Sequence, residues 1–528
     1  MKIKKSHIET FQAVDKLCQW PFFSIFIKQA KSSIIYYIKD RYYTMYFEKS
    51  KAQIYVERNQ IQMISLDDLV PKDHILRRID NVVDFSFIHE LTKDKYSMDN
   101  GRPCLDTVIL FKIPLLNFLM GKNSIRATLE EANVNMAYRW FLNIGLDSPI
   151  PNYSTFSQNY RRRYSDTTVF EKIFTAIVTR IVENNLIDES VIFVDGTHIK
   201  ANANKHKEIK RKVRVIADEY HKQLEKEIDE FRELNGRDKY HDDDDNDGDN
   251  NIIIDEETGE VKENNNTKEE YVEKVESTTD PDSGMFVKGE HERQFAYVDQ
   301  VACDKNGWVL AYDVNPGNVH DSKAFLPFFY NHLLKYNVKT ICADAGYISG
   351  LIDYNVQMNG INMLTPYASP KGQRTSFNKR MFDYYMEIDS YICPNKKILV
   401  PWNISRDGYI EYRINKKECG SCPYLKECLK NSNFKSIRRN LYEDCLEKAR
   451  EYRLSPEGKE IYKQRQETIE RVFAEGKEKH CLRYTRYRGL KRNRDMRALL
   501  YACLNIKKLT NLVTRLVNNR SKNKLCIG

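Results

Sequence analysis

The 528-residue chain contains no run of 18 apolar residues. Its nearest candidate, Trp20 to Ile38, is broken by Lys28 and Lys31, which argues against a membrane-spanning helix. The same stretch lacks a small-residue cleavage site, which argues against a secretory signal. The expected location is therefore the cytoplasm. In that reducing compartment the 12 cysteines are expected as buried thiols or metal ligands rather than disulfides. A calcium loop is also missing. Asp243, Asp245, Asp247 and Gly248 begin like one, but the twelfth position is Ile254 where a bidentate glutamate is required. Residues 1–60 lack any clean hydrophobic period and read as an appendage without an assigned role.

What is present points to a folded protein with a polyanionic partner. A hydrophobic content of 41%, with 12% aromatics, excludes global disorder, and the length predicts two to four domains. The net charge of +9 conceals two opposed blocks. From Lys477 onward 15 Lys and Arg face two acids, Glu478 and Asp495; from Arg237 to Asp282 18 Asp and Glu face five Lys and Arg. The basic end, with tyrosines interleaved in "RYTRYRGLKRNRDMR", reads as a DNA-binding tail carrying Arg486, Arg488, Lys491 and Arg492, or as a solvated helix face.

From Leu66 to about Asn184 apolar residues recur at three- and four-residue spacing, which predicts an all-helical region. Within "PNYSTFSQNYRRRY", Thr155 and Gln158 are spaced as a capping box, and Arg161 and Arg162 lie on the helix it opens, suited either to a DNA groove or to a plain surface. "EIKRKVRVIADEYHKQLEKEIDEFREL" reads as a long amphipathic helix, and the acidic stretch after it as a disordered insertion. "RQFAYVDQVACD" and "GWVLAYDVNPG" meet at Lys305-Asn306-Gly307 as a hairpin.

Two buried strands carry the chemistry. "VIFVDGT" and "VKTICADAG" each end in an aspartate followed by a small residue, Asp195 and Asp344. If the strands are neighbours, both carboxylates emerge at the carboxyl edge of one sheet, where open α/β sheets place their sites. Adjacent carboxylates repel unless a cation bridges them, and oxygen-only ligands suit Mg²⁺ or Mn²⁺. A third acid is expected on the helix opened by Ser455 and Pro456, where Glu470 sits among Ile469, Val472 and Phe473; Glu467 is the minority choice. Separately, Cys393, Cys419, Cys422 and Cys428 have the spacing of a structural zinc site, with buried free thiols as the alternative. The remaining cysteines are scattered and expected in the core.

These pieces together resemble a bacterial insertion-sequence transposase with a DDE triad, of the IS-four-like superfamily and most similar to its IS-eleven-eighty-two branch. The resemblance rests on "FVDGTHIKANAN", "NPGNVHDSKAF", "ADAGY" and "YKQRQETIERVFAEGK", in that order. It implies an α/β protein with a ribonuclease-H-like core, entered by its first strand at 186–204 and continued at 284–380 and 436–515. Around the core it implies a helical, DNA-binding domain at 61–185, the insertion at 205–283 and a Cys-rich zinc insertion at 381–435. It further implies two divalent cations, with Asp195 as the bridging ligand and Asp344 and Glu470 flanking, and Tyr462 and Lys477 on DNA phosphates near the scissile bond. Double-stranded DNA, as terminal inverted repeats and target, is the implied partner, in a complex with a homodimer at the nucleoid and no membrane. The superfamily places three residues between its signature Arg and Glu, whereas Arg465 and Glu470 have four between them. His320 and Asp321 also match the family, Asp321 reading equally as a helix cap. A non-transposing nuclease and an inactive DNA-binding remnant are the rival readings.

Overall fold

The computed structural model describes residues 49–61, 63–97, 99–101, 103–214, 226, 228–230, 232–233, 271–288, 292–366, 377–405, 408–414, 416–429 and 434–525. The acidic run 237–270, and with it the expected disordered insertion and the rejected calcium loop, lies outside them. The chain divides into two compact units, Met1–Ser65 and Leu66–Gly528. The described part of the first contains one helix, α1 (Lys51–Arg58).

The second unit opens with helices: α2 (Ile75–Val82), α3 (Phe87–Thr92), α4 (Thr107–Leu119), α5 (Ile125–Ala132), α6 (Met136–Phe141), α7 (Tyr153–Asn159) and α8 (Val169–Glu183). Several of these starts have a local cause. The Asp106 carboxylate accepts from Val108 N to begin α4, and Asn135 does the same for α6. Helix α7 begins at Asn152, whose side chain accepts from Ser154 N, so Thr155 is inside the helix and the predicted capping box is not the start. Arg161 and Arg162 lie beyond its end, exposed on a π-helical turn, Tyr160–Tyr164.

A sheet of eight strands follows: β1 (Val191–Lys200), β2 (Glu208–Arg214), β3 (Tyr271–Ser277), β4 (Gly284–Lys288), β5 (Glu292–Asp304), β6 (Val309–Pro316), β7 (Thr340–Cys342) and β8 (Asn362–Leu364). Their order is β2-β3-β4-β5-β1-β7-β8, with β6 paired to β5 along Tyr297–Cys303. The β1, β7 and β8 pairings are parallel and the rest antiparallel. The β5–β6 turn forms as expected, with Gly307 at φ 76° and the Asp304 carboxylate accepting from Asn306 N and Trp308 N. The predicted helix from residue 208 is corrected at its start: Glu208–Arg214 is a strand, paired residue for residue with β3 from Glu208↔Ser277 to Arg214↔Tyr271. Its partner lies beyond the long insertion, and ladder pairing overrides the local helical pattern.

Helix α9 (Asp321–Phe328) and helix α10 (Gly350–Met358) flank β7 in sequence. A second sheet, β9 (Asp383–Tyr385), β10 (Ser390–Ile392), β11 (Ile398–Ile404), β12 (Tyr409–Arg413) and β13 (Ser436–Asn440), is antiparallel and ordered β13-β12-β11-β10-β9. Three helices end the chain: α11 (Glu443–Leu454), α12 (Pro456–Lys479) and α13 (Leu490–Leu525). Ser455 caps α12 through Gly458 N, as its sequence predicts. The basic end is a helix with a buried middle, not a tail: Met496, Ala498–Cys503 and Ile506 are fully enclosed, and α13 packs on α4, α8 and β6. Apolar residues inside the basic run drive this burial. Among the described residues no helix is long and apolar enough to cross a membrane.

Candidate active site

Parallel pairing of β1 with β7 places Phe193 beside Cys342. Asp195 and Asp344 each follow two residues later, so both aspartates lie at about the same level past the paired positions, and both line one cleft. Ile192, Phe193 and Val194 are enclosed, which fixes the strand that carries Asp195. Asp344 turns out of β7 and caps a 3₁₀ turn, its Oδ1 accepting from Gly346 N at 2.7 Å.

Helix α12 crosses this face and brings Glu470 into the same cleft, an open hollow of about 610 Å³ lined by Asp195, Asp344, Arg465, Glu470, Lys477 and Arg483 among others. Arg465, whose spacing departs from the family pattern, sits between the acids. Its Nη2 is 2.7 Å from Asp195 Oδ2 and its Nη1 3.4 Å from Glu470 Oε1. Burial pushes the Asp195 carboxyl up to about 6 against the pull of Arg465, and the charges of Asp344 and Asp321 add to the rise. Glu467 faces away, into a separate cavity with Trp308 and Lys508.

Asp321 is the residue whose role the sequence left open. The cap of α9 is the His320 ring, whose Nδ1 accepts from Ser322 N, so capping does not account for Asp321. Its carboxyl is raised by burial and by Asp344. Tyr462 is not among the cleft-lining residues; it is half-buried, with the Arg453 guanidinium 4.1 Å over its ring.

The four predicted basic residues at the chain's end divide. Lys491 pairs with the buried carboxylate of Asp495 and donates to Thr167 O, while Arg492 lies over the rings of Tyr160 and Tyr487. Both are engaged by other residues of the fold, Lys491 while remaining exposed. Arg486 and Arg488 are exposed, Arg488 Nε donating to Asn202 O.

Cys393, Cys419, Cys422 and Cys428 line one small cavity of about 30 Å³ beside the second sheet. Lys397 N donates to Cys393 Sγ and Asn395 Nδ2 to Cys422 Sγ. Even so, among the described residues no three His, Cys, Asp or Glu side chains are grouped closely enough to hold a metal ion, either here or in the cleft. Of the other cysteines, Cys303, Cys342 and Cys503 are buried as expected, Cys445 and Cys481 are half-buried, and Cys104 is exposed. Cys18 and Cys526 lie outside the described residues.

Two families match this chain. The one described as "Transposase domain (DUF772)" covers residues 64–162, and the one described as "Transposase DDE domain" covers residues 392–510. In these two stretches the chain is similar to transposases, the second to their DDE domain. It is an enzyme that cleaves DNA and transfers strands, and DNA is its partner. Enzymes of this family use a divalent cation such as Mg²⁺. The DDE match includes Glu470 and the cysteine cluster, while Asp195 and Asp344 precede it. No curated protein matches the chain.

Proposed function

We propose that this transposase acts at the ends of its own insertion sequence, with Asp195, Asp344 and Glu470 as the acidic triad. The observation that carries the proposal is the shared level of Asp195 and Asp344 on paired parallel strands, with Glu470 in the same cleft. The order β6-β5-β1-β7-β8, with β5 antiparallel and β1, β7 and β8 parallel, supports a ribonuclease-H-like core. Membership of the IS-eleven-eighty-two branch, and the division of the chain at 60, 185, 204, 283, 380, 435 and 515, belong to the same proposal.

The donor set is oxygen-only and fits Mg²⁺ or Mn²⁺ in chemistry. Arg465 stands against two of the three acids with the positive charge that a cation would otherwise bring, and Glu470, its side chain about half exposed, is free to turn inward. When bound, the cations polarise the phosphodiester and the attacking water or 3′-hydroxyl. The protein's own part is positional: the buried strand holds Asp195 rigidly, and Lys477 and Arg483 in the cleft wall engage phosphate. Tyr462 acts near the scissile bond only if Arg453 releases it. Arg486 and Arg488, with Arg161 and Arg162, are the exposed cations offered to the DNA backbone; Lys491 and Arg492 hold the fold instead. The four cysteine thiols would hold a structural zinc ion. The complex is a homodimer bringing two inverted repeats and the target together, in the cytoplasm at the nucleoid.

A labelled end fragment incubated with Mg²⁺ should give cleaved ends joined to target DNA. Cleavage without joined products would favour the non-transposing nuclease; binding without cleavage would favour the inactive remnant.

A further inference from the structure

We propose that Asp321, outside the DDE triad, is a fourth carboxylate of the cation site, acting beside Asp344; the inference rests on the cleft being the metal site. It starts from two glycines. Gly196 follows Asp195, and a methyl group placed on it would lie 2.6 Å from Asp321 Oδ1, nearer than carbon approaches oxygen without displacement. Gly346 follows Asp344 by two residues, and a methyl group there would lie 3.1 Å from Asp344 Oδ1 and 3.3 Å from Asp321 Oδ2. The oxygens of Asp344 and Asp321 are therefore no further apart than those two distances laid end to end. Side chains at 196 and 346 would occupy the space through which Asp321 reaches the strand tips.

Asp195 and Asp321 approach those tips from opposite layers. Asp195 shares a face with Phe193 and meets α12 through Arg465, whereas Gly196, one residue on, presents its Cα to the layer of α9. Asp321 is the first residue of α9, and Gln300 Nε2 on the same side of the sheet donates to its backbone carbonyl, anchoring the helix start. A helix N-terminus favours an anion by about 1 kcal/mol at the surface, but an aspartate serving only that purpose would turn to water. This one is half-buried and lies near another carboxylate, with no side-chain hydrogen bond described for it. A cation between the two offsets the repulsion.

The test uses the full-length protein without DNA. Mn²⁺ binding is followed by calorimetry and by the electron paramagnetic resonance signal of free Mn²⁺, for wild type, Asp321→Asn and Asp195→Asn. Asp321→Asn should weaken Mn²⁺ binding roughly tenfold or more, raise the Mg²⁺ concentration needed for half-maximal DNA cleavage in proportion, and leave the metal-free melting temperature unchanged or higher. An unchanged Mn²⁺ isotherm for Asp321→Asn, alongside lost binding in Asp195→Asn, overturns this inference alone. Unchanged isotherms in both variants overturn the metal-site reading beneath it. If the Asn form is not recovered folded, Asp321→Ser keeps a residue type suited to a helix start, and the same outcomes apply.

Discussion

Asp195 and Asp299 stand on neighbouring strands and on the same face of one sheet, since Thr197, two residues past Asp195, is paired with Asp299. Burial holds both carboxyls up at about 6. Each meets an arginine from a helix laid over that face, Arg465 at 2.7 Å and Arg497 at 2.8 Å. The resemblance ends with what surrounds them. Asp299 and Arg497 are 0% and 2% exposed, and Tyr501 donates a further hydrogen bond to the carboxylate, so one anion is matched by one cation in a closed space. Asp195 opens to a cleft where Asp344, Glu470 and, from behind, Asp321 gather near Arg465, with Lys477 and Arg483 in the same wall. A displaced pKa therefore marks burial in both places. Several acids gathered at an opening to solvent make only Asp195 a candidate for chemistry.

The largest effect should come from breaking the open member. Asp195→Asn keeps the side chain's size and its strand, so folding and DNA binding should persist while Mn²⁺ binding fails and cleavage falls by roughly a thousandfold or more. Glu470→Gln should match it in a cleavage assay, because the acids act as one unit, and Glu467→Gln should retain activity. A dead Glu467→Gln beside an active Glu470→Gln would move the third acid to the other cavity.

Removing the arginines should reverse the ranking. Arg497→Met leaves Asp299 buried without its cation, which costs about 3–5 kcal/mol of stability. Arg465→Met exposes Asp195 to cleft water and should cost about 1 kcal/mol. Denaturant unfolding of the two variants measures the difference. The double change Asp299→Leu with Arg497→Met should recover most of the loss, since a buried pair can be replaced by apolar side chains. Equal losses from the two single variants would mean that the cleft is as closed as the interior.

The two strand tips were legible in sequence because their parts are local: an apolar run, an aspartate and a glycine or alanine announce them in "FVDGT" and in "CADAG". The closed pair was not, because Asp299 meets Arg497 only after α13 folds across the sheet. Distance in sequence hid β2 for the same reason, its partner lying past the acidic insertion. Asp321 was ambiguous because an aspartate at a helix start reads as a cap, and only the coordinates show that His320 holds that role. Charge counting misread the chain's end, since it weighed Lys491 and Arg492 equally with Arg486 although Asp495 and two tyrosine rings already occupy them.

The smallest expected effect is on the pH dependence of stability, and it separates the two aspartates without changing either. A carboxyl raised in the folded state binds its proton more tightly there than in the unfolded chain, whose value is about 3.9. Its penalty is thus absent below about pH 4, grows as pH rises to about 6, and is constant above that. Asp195 and Asp299 each contribute in this direction, at most about 3 kcal/mol apiece. A divalent cation lowers the Asp195 carboxyl but cannot reach Asp299, which the fold encloses. The melting temperature of metal-free protein should therefore fall between about pH 4 and 6, the window set by these values, and excess Mn²⁺ should flatten part of that fall. In Asp195→Asn the slope should be shallower from the start and indifferent to Mn²⁺. A wild-type slope that Mn²⁺ leaves untouched would place Asp195 with Asp299, as a structural carboxylate that happens to lie near a cleft.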